Sequence, residues 1–184
     1  MLEPRTERLQ LRQWKHSDRD AFASMSTDPQ VMEYFPKTLS RIESDAIADK
    51  SEKLISERGW GVWAVELLES KDFIGMVGLH IPTAELPFSP CVEILWRLAR
   101  SYWGNGYATE AANAVLRVGF EKLELEEIVA FAALKNKRSR AVMKRLGMVD
   151  TGETFTHPAL PTNSSLREHC LYKISLKSEK NIKH

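Results

Sequence analysis

The chain has 184 residues, with 26 Lys and Arg against 25 Asp and Glu, so its formal net charge is +1. Hydrophobic residues make up 43% and charged residues 28%, which excludes a disordered or collagen-like chain and suits a single globular domain over 1–184. The near-neutral charge argues against direct nucleic-acid binding. The basic residues Lys173, Lys177, Lys180 and Lys183 read as a frayed terminus.

The opening residues 1–8 are charged and lead into no apolar run of the kind a secretory leader needs. The most apolar stretch, Val62–Leu68, contains Glu66 and is too short to cross a bilayer. Cys91 and Cys170 lack CxxC spacing, and the five histidines include no HxxxH pair, so no metal site or disulfide framework is expected. These features predict a cytoplasmic protein without membrane contact.

Leu9 and Leu11 alternate with polar neighbours across Arg8–Arg12, the pattern of a half-buried strand. Ser17 or Asp18 is placed to cap a helix through Met25, which stops near Asp28-Pro29. A second helix is predicted from about Ser40 to Glu57, carrying Ile42, Ile47 and Leu54 among charges and ending at Gly59. Strands Val62–Leu67 and Phe73–Leu79 flank a polar turn at Glu69–Asp72, and a loop with Pro82, Pro87 and Pro90 leads to strand Val92–Leu98. After Tyr102–Tyr107 a helix runs from Ala108 to about Lys122, with Ala108, Ala112, Val115, Gly119 and Leu123 on one face. Strand Ile128–Ala132, a short helix Lys137–Leu146 closed by Gly147, and strands near Val149–Phe155 and Glu168–Leu176 complete the chain. The fold class is therefore α/β (α+β in its dispersed arrangement): one mixed sheet of about seven strands with helices among them.

Gly104-Asn105-Gly106 lies between a strand and a helix start. Glycines there permit a tight turn and close approach to a ligand, and the free N–H groups of the first helical turn make an anion site. The same residues also suit a plain strand-to-helix connector. A P-loop is excluded because no Gly-Lys followed by Ser or Thr is present. A dinucleotide fingerprint is incomplete: Thr109 stands where the third glycine belongs, and the next strand ends Phe131-Ala132-Ala133-Leu134 without an acid. That disfavours a nicotinamide oxidoreductase.

Three blocks carry a resemblance: Tyr102-Trp103-Gly104-Asn105-Gly106-Tyr107-Ala108-Thr109-Glu110-Ala111, Asn136-Lys137-Arg138-Ser139, and Lys144-Arg145-Leu146-Gly147-Met148. With Thr6–Arg12 and Asp28–Met32, the chain resembles the RimJ/RimL-type branch of the GNAT N-acetyltransferases over nearly its whole length. The GNAT signature, Gln/Arg-x-x-Gly-x-Gly/Ala, falls on Trp103 to Ala108, with Trp103 in place of the usual Gln or Arg. The resemblance implies a mostly antiparallel GNAT sheet and acetyl-CoA as co-substrate without a metal. It places the pyrophosphate on the amides of Gly104, Asn105, Gly106, Tyr107, Ala108 and Thr109, beside Trp103. The pantetheine would run along Trp96, Arg97 and Leu98 as an added strand. Read from the residues alone, Asn136 caps the short helix and Ser139 is a first-turn polar residue. The resemblance implies instead that Asn136 bonds the pantetheine arm and that the Ser139 hydroxyl lies near the CoA sulfur.

Acetyl transfer to an amine needs a neutral nitrogen and a proton for the departing thiolate. A related branch uses a carboxylate and a tyrosine where Phe131 and Met143 stand here, so that pair does not transfer. Ser139 is left as the candidate acid. Base candidates are Glu93, Glu110, His157 and His169; Glu110 reads as a structural acid in the first helical turn. His169 and Cys170 are strand neighbours on opposite faces, which removes a Cys–His nucleophile pair. Freeing an α-amine with a pKa of about 8 costs roughly 1.4 kcal/mol at pH 7, against about 4.6 for a lysine amine. A primary-amine acceptor, with a protein N-terminus favoured as in ribosomal-protein acetylases, fits a site without a strong base. A small-molecule amine and a non-catalytic acyl-CoA-binding domain are the alternatives. Trp14, Tyr34, Phe35, Trp60 and Trp63 divide between core and acceptor pocket, and monomer and homodimer are both open.

Overall fold

A computed structural model describes residues 1–176. Its one sheet contains β1 (Leu9–Arg12), β2 (Val62–Leu67), β3 (Phe73–His80), β4 (Glu93–Leu98), β5 (Glu127–Ala133), β6 (Val149–Thr156) and β7 (Glu168–Ser175). The spatial order is β1-β2-β3-β4-β5-β7-β6, antiparallel throughout except for the parallel pair β4–β5. A parallel pair needs a crossover, and α3 (Tyr107–Glu121) supplies it while packing on β3 and β4. The other helices are α1 (Asp18–Thr27), α2 (Arg41–Arg58) and α4 (Lys137–Arg145). The mixed sheet expected from the sequence is present, with element bounds shifted by one or two residues.

Local chemistry explains the helices, with two corrections. Ser17 precedes α1 but makes no side-chain cap, and Asp18 turns instead to Arg12 and to the Lys15 N–H (2.8 Å). In α2, Ser40 and Glu43 form a reciprocal capping box and Gly59 closes the helix at φ 82°. Its buried face is Ser44, Ala48, Ser51 and Ile55, whereas Ile42 is 81% exposed. Small residues on that face let the helix backbone come close to β2, which it packs against. Lys173, read as part of a basic tail, is inside β7 and pairs with Glu127 (3.2 Å); Lys177, Lys180 and Lys183 lie outside the described residues.

The main core joins both helical layers to the sheet, with Trp63, Phe22, Leu11, Ile94, Val115 and Tyr172 among its buried members. A smaller cluster of Leu86, Val129, Phe155 and Leu171 seats the proline-containing loop against β5 and β7. No helix among the described residues is long and apolar enough to cross a membrane.

Beside the core, Arg12 links β1, α1 and β2. Its Nη1 and Nη2 donate to the Asp18 carboxylate (2.8 and 2.9 Å) and its Nε to Glu66 (2.7 Å), with all three side chains buried. Burial pushes the Glu66 carboxyl up, but Arg12 and Lys15 outweigh it and hold the group below its usual range. A depressed carboxyl contributes stability above its unfolded pKa and loses it as the pH falls. Arg12→Met strands two buried carboxylates, so urea unfolding at pH 7 should show a loss of about 3–5 kcal/mol. The deficit relative to wild type should shrink toward pH 4, and a deficit independent of pH would contradict this account.

Candidate active site

The site begins where β4 and β5 part. They pair at Glu93–Val129, where the Val129 N–H donates to the Val92 carbonyl (3.0 Å). No further pair follows among the described residues, although the strands continue to Leu98 and Ala133. Successive residues of a strand turn their N–H and C=O to opposite edges. Trp96 is in phase with Val92, so its N–H and C=O face the gap with no strand opposite. A cavity of about 1160 Å³ fills this gap and is lined by both strands, the α1–α2 connection, the start of α3 and the start of α4.

At one end of the cavity the chain turns through Gly104 and Gly106, both at φ +79°. Left-handed backbone of this kind favours glycine. Gly106 is the N-cap of α3 and brings no capping side chain. The first-turn amides of α3 therefore have no partner within the helix, and the helix dipole adds to their pull on an anion. Trp103, Gly104, Gly106, Tyr107, Ala108 and Thr109 line the cavity here. Asn105 is outside the lining: its Nδ2 donates to the carbonyls of Tyr102 (3.3 Å) and Trp103 (3.1 Å), and its own carbonyl accepts from Arg8 (3.1 Å). It shapes the turn.

Two arginines far away in sequence flank this turn. Arg8 lies over the Tyr107 ring and is clamped to Glu110, which also accepts from Thr6 (2.6 Å) and the Arg8 N–H (3.0 Å). Burial raises the Glu110 carboxyl, and these bonds more than reverse it, so the net displacement is downward. Glu110 is thus a structural anchor between the N-terminal segment and α3. From α4, Arg138 stacks on Trp103 (4.5 Å) and pairs with Glu33 (2.7 Å), strapping the α1–α2 connection across the cavity. Neither arginine is visible as a site residue in local sequence, because each partner is on a different element.

Asn136 and Ser139 lie on the opposite wall. The Asn136 Oδ1 accepts from the Ser139 N–H (3.0 Å), so the side chain makes the cap of α4. The side-chain Nδ2 of Asn136 and the hydroxyl of Ser139 have no protein partner among the described residues.

The acid–base candidates separate. Glu93 is buried at the closed end of the gap, bonded to His80 Nε2 (2.5 Å). Burial raises its carboxyl, and the bond from His80 only partly offsets that. His157 and His169 face each other across β6 and β7, ring centres 5.0 Å apart, against Phe131 and Phe155. Burial lowers both imidazoles below their ordinary value, so they are neutral at pH 7. Cys170 points away into the core beside the Ala132 carbonyl. Sequence reasoning named the two histidines separately; their contact depends on the β6–β7 register, which local pattern does not encode. Tyr34 and Phe35 line the cavity, while Trp14 and Trp63 are core. No group of three or more metal-ligating side chains is assembled among the described residues.

Comparison with known proteins now bears on this geometry. Residues 8–149 match the model of the acetyltransferase (GNAT) domain. An Aspergillus fumigatus protein named FsC-acetyl coenzyme A-N(2)-transacetylase is 33% identical over 157 residues, covering 82% of this chain and 66% of that protein. The crystal structure of a GNAT-family acetyltransferase from Bacillus anthracis superposes with a TM-score of 0.79 at 25% identity, covering 97% of this chain and 99% of that one. A ribosomal-protein-S5-alanine acetyltransferase from Vibrio fischeri has the same fold, with a TM-score of 0.74 at 20% identity over 95% of this chain and 97% of its own.

The cap yields a direct test. Asn136→Ala should lower stability by about 1 kcal/mol, a fall of roughly 2–4 °C in Tm, while Asn136→Asp should retain most of it. Equal losses in the two variants would mean that the side-chain oxygen does not cap α4.

Proposed function

The chain belongs to the GNAT acetyltransferase family, and from that premise we propose that this cavity takes acetyl-CoA and that the enzyme acetylates a primary amine. One observation carries the reading. An unpaired β4 edge and the uncapped N-terminus of α3 open into the same cavity. An amide-bearing chain can add to the first as an extra strand, and a diphosphate can sit on the second. The β4 backbone at Trp96 and Leu98 then holds the pantetheine, the Arg97 peptide between them being turned toward β3, and the amides of Gly104 and of Gly106 to Thr109 hold the phosphates. Arg8 and Arg138 supply cationic charge that Trp103 does not.

Acetyl-CoA brings a thioester carbonyl open to attack by an amine. The chain's part is to hold that carbonyl, exclude water and manage protons. The Ser139 hydroxyl faces the cavity without a protein partner and passes its proton to the departing sulfur, regaining one through water from the base that takes the amine's proton. The neutral His157–His169 pair, or Glu93 through His80, stands ready to accept the proton that the attacking amine loses. An α-amine suits these modest bases better than a lysine amine, because less work is needed to deprotonate it. The α-amine of a peptide or protein is the acceptor of this kind that we favour.

Saturating acetyl-CoA at one hundred times its Kd should stabilise the fold by about 2.7 kcal/mol, raising Tm by several degrees, while NADH should leave it unchanged. Gly106→Val should abolish that shift. CoA thiol release in the presence of amines separates an enzyme from a domain that only binds acyl-CoA. Ser139→Ala should cut kcat by about tenfold to a hundredfold with little change in acetyl-CoA affinity. With an N-terminal peptide, kcat/KM should climb with pH and level off near about 8, where the acceptor amine is deprotonated. A plateau already reached at pH 6.5 would place the ionisation on the enzyme instead.

A further inference from the structure

Arg97 is a half-buried cation that lines the cavity and that no acid among the described residues balances. Strand alternation sets Glu93, Leu95 and Arg97 on one face of β4, opposite His80, Gly78 and Met76 of β3. The Arg97 guanidinium lines the cavity with the Phe35 ring 4.3 Å from its Cζ. Its Nε and Nη1 are shut off from solvent and have no hydrogen-bond partner, and no acid pairs with it among the described residues. Arg12, more deeply buried, is satisfied by two carboxylates. Glu93, the acid on the same face, is already engaged by His80. Burial pushes the Arg97 guanidinium down to about 10, so it still carries its proton at neutral pH. A cation in this state favours any ligand that brings a matching anion.

We propose that Arg97 anchors a carboxylate carried by the amine acceptor, which makes the acceptor class an amino acid or short peptide-like acid and not a polyamine or neutral amine. The proposal rests on the acetyltransferase reading above. Charge selects the anion. One guanidinium balances one negative charge, and Nη2, the nitrogen not shut off, can donate to a carboxylate oxygen. A phosphate near −2 would remain half-compensated against Val31, Phe35 and Met76. Position selects the acceptor. The donor's anionic end has its own place at the N-terminus of α3, whereas Arg97 projects from the face of β4 beneath the α1–α2 connection. The Phe35 ring stacks on the guanidinium, and with Nε and Nη1 covered it is Nη2 that is left accessible to a ligand.

The test uses matched acceptors: β-alanine, diglycine and tetra-alanine, each as the free acid and as the C-terminal amide, with acetyl-CoA and the full chain. In wild type, kcat/KM for at least one free acid should exceed that of its amide by at least about tenfold, the scale of a charged hydrogen bond. In Arg97→Met that ratio should fall to near one, while the Kd for acetyl-CoA moves by less than the ratio does. Arg97→Lys should keep part of the preference. Removing an unpaired charge should not unfold the protein, so the Tm of ligand-free Arg97→Met should equal or exceed that of wild type. Equal rates for every acid and its amide in wild type would overturn the proposal and leave the acetyltransferase reading standing. So would an Arg97→Met loss that appears wholly in acetyl-CoA affinity, which would assign the group to a phosphate of the donor. No thiol release with any amine would defeat both readings.

Discussion

Everything at the site depends on a parallel strand pair that is joined at one end and open at the other. β4 is held along its length by β3, and β5 along its length by β7. Between them stands the single pair Glu93–Val129. Each strand is secured by its outer neighbour, so the sheet tolerates a gap in the middle without losing either half. The cost is backbone polarity at Trp96 with no strand opposite, which must be met by water or by a ligand. A ligand with amide groups spaced like a peptide meets it best, and the fold thereby creates a binding edge inside the molecule, where an exposed edge would invite aggregation.

The crossover that a parallel pair requires then fixes the second half of the site. α3 must start near the end of β4, and its N-terminus therefore faces the gap. Gly104 and Gly106 let the chain reverse there, and the Glu110 clamp on Thr6 and Arg8 holds the first turn in place. The Arg138–Glu33 pair closes the far side by tying α4 to the α1–α2 connection. Charge is distributed with the same economy. Cations gather around the turn and at Arg97, while the imidazoles opposite are kept neutral by burial among Phe131 and Phe155. The cations proposed to bind anions and the imidazoles proposed to accept a proton thus occupy separate walls of one cavity.

Much of this was legible in the sequence wherever a short-range rule governs. The glycine pair of the turn, the helix that follows it, the cap at Asn136 and the alternation of β1 all follow from residues within a few positions of each other. The number of strands and their mixed character were legible for the same reason. Where the sequence misled, tertiary packing had overridden a local preference. Ser17 or Asp18 looked like a cap, but Ser17 makes no cap bond and Asp18 is claimed by Arg12; in α2 the buried face is serine and alanine with Ile55, which lets the helix lie close on β2. Asn105 belonged to the turn motif and yet serves the turn itself. Contacts such as His157 with His169, Arg8 with Glu110 and Phe35 with Arg97 arise from strand register and chain crossing, and no periodicity announces them. The isolation of Arg97 is the extreme case, since a missing partner is apparent only once every neighbour is in place.

The central claim is that the open β4 edge and the α3 N-terminus act together as the acetyl-CoA site. Backbone amide hydrogen exchange, followed residue by residue with and without acetyl-CoA, addresses it most directly. The account predicts strong new protection at the Trp96 N–H together with the amides of Gly104 and of Gly106 to Thr109, and little change along the β2–β3 and β6–β7 pairings. Binding of acetyl-CoA that leaves Trp96 exchanging as fast as in the free protein would contradict it.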